Sequence, residues 1–96
     1  MIKSFKIFER FWFRNIIIGE IYHIYPVNRD WVNSIPFCKI IEKDDNLRTI
    51  DFETYSSKTN EKMIFSYYYF NLIKRKATDE EKIYFETFEE VNKYNI

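Results

Sequence analysis

The side chains that do chemistry in proteins are thinly spread along this chain. His23 is its only histidine and Cys38 its only cysteine. Brought together they would form a thiolate–imidazole dyad, in which the neighbouring base lowers the thiol pKa and frees a nucleophile. A buried thiol and a strand histidine account for the same two residues without chemistry. A single histidine excludes a multi-histidine metal site within one chain, and a single cysteine excludes an internal disulfide and a thiolate cage. Asp51 and Glu53, two apart, share one face of a strand, and Asp44 and Asp45 are adjacent; such carboxylates serve proton transfer or a divalent cation. Turns and solvated strand faces recruit the same residues, and that plainer reading carries more weight. A phosphate-cradling loop is excluded, since Gly19 is the only glycine. The expectation is a non-enzyme without metal or cofactor.

Binding chemistry is better represented. Lys74, Arg75 and Lys76 follow closely on Tyr67, Tyr68 and Tyr69, which joins phosphate-neutralising charge to base-stacking rings in the manner of single-strand binders. The overall balance opposes that reading, because the formal net charge is zero where a nucleic-acid binder shows a basic excess. The charge is also divided along the chain. Residues 1–78 hold 13 Lys and Arg against 9 Asp and Glu, a balance of +4, whereas residues 79–96 hold 2 against 6, a balance of −4. An acidic segment therefore begins three residues beyond the basic triplet. The chain also carries ten Phe, eight Tyr and two Trp. Most of these rings belong in a core, but exposed Tyr and Trp are frequent anchors of protein interfaces. Trp31 and Tyr67 to Tyr69 are the candidate anchors; in a strand, Tyr67 and Tyr69 face one way and Tyr68 the other, which leaves one side for a partner.

These residues need elements to hold them. Thr78 followed three residues later by Glu81 is a capping box, and it predicts a helix over about residues 79–93 with Asp79, Glu80 and Glu81 at the positive end of its dipole. Tyr84, Phe88 and Val91, with Phe85 alongside, form the predicted apolar stripe, leaving Lys82, Glu86, Glu89 and Glu90 to face away. Strands are predicted upstream: residues 16–27, bent at Gly19 and ended by Pro26; residues 37–43; residues 47–55, returning across a turn at Asp44–Asp45–Asn46; and residues 63–69. The polar stretches 28–36, which contains Trp31, and 56–61 read as loops. Residues 1–14 fit strand alternation and helical spacing about equally, and their aromatic content favours a strand. Residues 70–76 must turn sharply into the helix. With 96 residues this is one domain, 1–96, of α+β class: a small antiparallel SH3-like β-barrel or bent sheet with one C-terminal α-helix.

The order GEIYHIYP, then CKIIEKDDNLRTIDFETY, then a strand leading into KRKATDEEKIYFE resembles small proteins encoded by phages and prophages of low-GC bacteria. In these, an SH3-like barrel precedes a helix that opens with an ATxEE-type motif. The likeness covers about residues 16–90 and rests on Gly19 and on Thr78 to Glu81; the aromatic N-terminal segment and the triple tyrosine depart from it. It implies a non-catalytic protein that binds and inhibits or redirects a bacterial host or defence protein, for example a CRISPR effector. A small barrel that binds nucleic acid through Tyr67 to Tyr69 and Lys74 to Lys76 is the alternative. The lone cysteine suits a reducing compartment, and apolar runs such as residues 16–18 are too short to span a membrane. Charges within residues 1–14 depart from a signal peptide. A cytoplasmic protein of the host cell is expected, with homodimerisation through an exposed strand edge as a further possibility.

Overall fold

The chain enters its sheet through a tight turn at residues 17–20. Gly19 stands at the third position with φ +90°, the left-handed conformation that a type II turn demands there. The amide of Glu20 donates to the carbonyl of Ile17 at 3.1 Å, and that of Gly19 to Ile40 at 2.7 Å. The computed structural model describes residues 15–25 and 33–94. Its elements are β1 (Ile21–Ile24), β2 (Phe37–Asp44), β3 (Thr49–Tyr55), β4 (Lys62–Tyr68), the one-turn helix α1 (Tyr69–Leu72), β5 (Ile73–Lys76) and α2 (Asp79–Tyr94). The aromatic segment 1–14 and Trp31 lie outside the described residues.

The five strands form one open sheet in the order β4-β3-β2-β1-β5, with every pairing antiparallel. This is the α+β architecture the sequence predicts, a bent antiparallel sheet of SH3-like kind with a C-terminal helix. Two register shifts, at His23/Ile24 and at Ile40/Glu42, add twist where β1 and β2 cross the middle of the sheet. The β2–β3 turn is held by Asp44, whose Oδ1 accepts from the amides of Asn46 (2.9 Å) and Leu47 (3.0 Å), and it closes with Arg48 at φ +56°.

Strand alternation sorts the apolar residues into two cores. On the inner face, Tyr22 and Ile24 of β1, Cys38 and Ile40 of β2, and Ile50 and Phe52 of β3 are joined by Tyr69 and Leu72 of α1. On the outer face, Ile21, Ile35, Phe37 and Tyr55 receive Phe85 of α2 together with Ala77. The buried hydroxyl of Thr54 is satisfied by donating to the carbonyl of Phe37 at 2.7 Å, as a buried polar group requires.

The capping box forms as the sequence predicts. Glu81 N donates to Thr78 Oγ1 at 3.3 Å, and the Glu81 carboxylate accepts from Thr78 N at 2.8 Å. The buried face of α2 differs from the predicted one. Phe85 is fully buried and Phe88 packs beside it, whereas Tyr84 is 45% and Val91 42% exposed. Lys82 and Glu89, expected to face solvent, lie on the sheet side and bracket Phe85. Lys82 Nζ meets Glu20 Oε1 at 2.8 Å, and Lys39 Nζ meets Glu89 Oε2 at 2.6 Å. Spaced seven apart, the two residues share a face over two turns, so the ion pairs to Glu20 and to Lys39 of β2 form on the same side of the helix as the buried Phe85.

The segment 70–76 also differs. It is not a free turn into the helix: it contains α1 and then β5, which pairs with β1 through Tyr22↔Lys76 and His23↔Arg75. Ile73 is drawn into the inner core, so the following three residues, all basic, are held along an edge strand.

Candidate functional site

The residues that could have done catalytic chemistry are separated by the pleat of the sheet. Tyr22 pairs with Cys38 and His23 with Phe37, so Cys38 points into the inner core while the His23 ring lies on the outer face, 5.1 Å from Phe37. No thiolate–imidazole dyad forms. Cys38 is fully buried, and that burial pushes its thiol far above the ordinary value. Burial, followed by the charges of Arg75 and Lys74, holds the imidazole of His23 below its usual value. Among the described residues its buried Nδ1 has no hydrogen-bond partner. Asp51 and Glu53 do share the outer face of β3, as their spacing predicts, and Glu53 accepts the hydroxyl of Tyr55 at 3.0 Å. Among the described residues, no group of three or more His, Cys, Asp or Glu side chains is placed to hold a metal ion.

The two halves of the expected nucleic-acid surface fall on different edges. Tyr67 and Tyr68 end β4, Tyr69 opens α1, and Lys74, Arg75 and Lys76 lie on β5, at the other end of the strand order. Arg75 is held in a two-pronged bridge to Glu81, at 2.7 and 2.9 Å, so its charge is matched within the chain. That guanidinium, with the Thr78 amide, holds the Glu81 carboxyl down to about 2. Lys74 finds its ring in Tyr25 instead, with Nζ 5.6 Å from the centroid.

The three tyrosines part company. Because Tyr69 begins a helical turn rather than extending β4, it folds into the inner core at 7% exposure, where the sequence placed it in the strand beside Tyr67. Tyr67, with Phe65, packs half-buried against the same core. Tyr68 points outward and is 57% exposed. Four residues back on the same face, beyond Ser66, Ile64 is 60% exposed, and in the β2–β3 turn Leu47 is 64% exposed.

Those apolar side chains stand on the part of the outer sheet face that α2 leaves uncovered. The register places Thr49 opposite Tyr68, Asp51 opposite Ser66 and Glu53 opposite Ile64, and on the other side of β3 it places Glu42 opposite Asp51. A shallow groove of about 270 Å³ runs here between Glu42, Asp44, Leu47, Thr49, Asp51 and Ser66. Like charges directly opposite one another weaken a sheet, and among the described residues neither Glu42 nor Asp51 has an ion-pair partner.

No known protein family matches the chain, and comparison with curated proteins and with solved structures likewise finds no match. Sequence reasoning named Tyr68 but missed Ile64, Leu47 and the Glu42–Asp51 pair. The signal was present in the alternation of residues 62–68 and 49–55; reading it required the register that sets β2 against β3.

Proposed function

We propose that this chain is a non-catalytic binding protein, of the phage type its sequence resembles, which docks on a bacterial host or defence protein and blocks or redirects it. The observation that carries this reading is the exposure of Tyr68 and Ile64, which flank Ser66 on the part of the outer sheet face that α2 leaves uncovered, while the neighbouring aromatics Phe65, Tyr67 and Tyr69 pack toward the core. A tyrosine on a rigid strand offers a large contact area at small entropic cost, which is why such residues dominate interface energetics. Truncating Tyr68 should weaken the complex by more than about tenfold, roughly 1.4 kcal/mol.

The test is an affinity pull-down of the tagged protein from nuclease-treated bacterial lysate, run in parallel with Tyr68→Ala and Ile64→Ser. A protein recovered in stoichiometric amount by the parent and lost with both variants supports the reading. Equal recovery by all three removes this face from the proposed surface. The nucleic-acid alternative has one observation in its favour, the exposed basic strand β5 with Lys74 against Tyr25. Its signature is recovery that disappears with nuclease and with Lys74→Ala/Lys76→Ala.

A further inference from the structure

The docking face also carries information about its partner. Its apolar members, Ile64, Tyr68 and Leu47, are framed by carboxylates: Glu53 opposite Ile64, Asp51 opposite Ser66, Glu42 opposite Asp51, and Asp44 at the head of the turn. Two of these have work within the chain, since Glu53 accepts from Tyr55 and Asp44 caps the turn amides. Among the described residues, Glu42 and Asp51 have no ion pair. The Lys43 side chain borders the groove, but its ammonium donates to the carbonyl of Ile16 at 2.8 Å. Lys39, next along the outer face, is taken by Glu89. Two carboxylates set opposite one another cost stability, and such local conflicts concentrate at functional sites.

Resting on the docking reading above, we infer that the partner presents a lysine- or arginine-rich segment of protein with apolar residues interspersed, seated over β3 and β4. Ser66 makes this possible. It is the small residue between Ile64 and Tyr68, so a long cationic side chain lying over it reaches Asp51 and then Glu42 on the next strand, strands being about 4.8 Å apart. The apolar neighbours of that cation meet Ile64 and Tyr68. Charge complementarity of this kind sets partner choice and association rate, and it makes the complex salt-sensitive.

Three short labelled peptides test it, alternating valine and threonine with lysine, serine or glutamate, titrated into the full chain by fluorescence anisotropy at low and moderate salt. Amide shifts in NMR spectra locate the binding. The lysine peptide is expected to bind over Ile64, Ser66 and Tyr68, to weaken with salt, and to lose about tenfold in affinity against Glu42→Gln/Asp51→Asn. That double variant relieves a like-charge pair, so it should melt no lower than the parent, and loss of binding then cannot be ascribed to unfolding. If the serine and glutamate peptides bind this face as well as the lysine peptide, or the double variant binds the lysine peptide unchanged, the charge inference is overturned. Loss of all peptide binding in Tyr68→Ala would leave the docking reading standing in that case. If no peptide shifts this face, or an oligonucleotide occupies it, both readings are overturned.

Discussion

Replacing Phe85 by alanine tests how the helix is held. Its ring is fully buried among Ile21, Ile35, Phe37, Tyr55 and Ala77, with the Tyr55 ring 5.3 Å away and the Lys39 ammonium 5.9 Å from its centroid. Truncating a buried phenylalanine costs roughly 3–5 kcal/mol, the transfer of the ring plus the cavity it leaves. A domain of this size has about 5–15 kcal/mol in total, so Phe85→Ala takes a large share. At about 4–8 °C per kcal/mol the melting temperature falls by at least about 12 °C. Tyr84, its chain neighbour, is 45% exposed and loses only edge contacts to Phe37 (5.9 Å) and Phe88 (5.2 Å) on truncation. Tyr84→Ala therefore costs about 1 kcal/mol. Urea unfolding of both variants, followed by circular dichroism, measures the difference. Equal costs, or a greater cost at Tyr84, would mean that α2 lies on the Tyr84–Phe88–Val91 stripe and that the packing described above is wrong.

Stability should fall on acidification in two windows. His23 has its folded pKa below 6.5, so the neutral ring stabilises the fold fully above pH 6.5 and that contribution declines as pH drops below it; His23→Phe, which orphans no partner, should flatten this part of a pH–stability profile. Glu81 is depressed from 4.5 to about 2, so its contribution is present above pH 4.5 and lost toward pH 2, a loss that Glu81→Gln abolishes. Cys38 should resist a thiol-labelling reagent in the native state and react at the rate of unfolding, and prompt labelling would contradict its burial. Gly19→Ala meets no steric neighbour within 4 Å, so its cost is that of the left-handed backbone alone, about 1 kcal/mol by thermal melt.

What the sequence made legible was local. The capping box at Thr78 and Glu81, the bend at Gly19 and the β2–β3 hairpin each depend on chemistry within a few residues, and each stands where its pattern puts it. The face of α2 did not follow from its pattern. Tyr84 and Phe85 are adjacent and similarly apolar, and the choice between them is made by distant parts of the chain: Ile35, Phe37 and Tyr55 enclose Phe85, and Glu20 before β1 and Lys39 of β2 pair with Lys82 and Glu89 beside it. The strand β5 was hidden for a like reason. A basic triplet has no strand signature of its own, and it is extended because Ile73 enters the inner core and β1 offers an edge to pair with. Strand alternation set Tyr68 apart from Tyr67 and Tyr69, as the structure has it; that Tyr69 leaves β4 for α1 and is buried did not follow from the alternation.

The strand order has a kinetic consequence. Strands β2, β3 and β4 follow one another through short connections, so their pairing closes small loops, whereas β5 reaches β1 across some fifty residues of chain. Pairing over that separation carries the larger entropic cost, which places the β2–β3–β4 meander early in folding and the β1–β5 clip late. The same order governs opening from the native state. Amides of β5 and α2 should exchange with solvent together at a common, lower free energy, and those shared between β2 and β3 only when the whole domain unfolds. Tyr68, Ile64, Asp51 and Glu42 all lie on the meander. The face proposed for docking should thus be the first part of the molecule to assemble and the last to come apart.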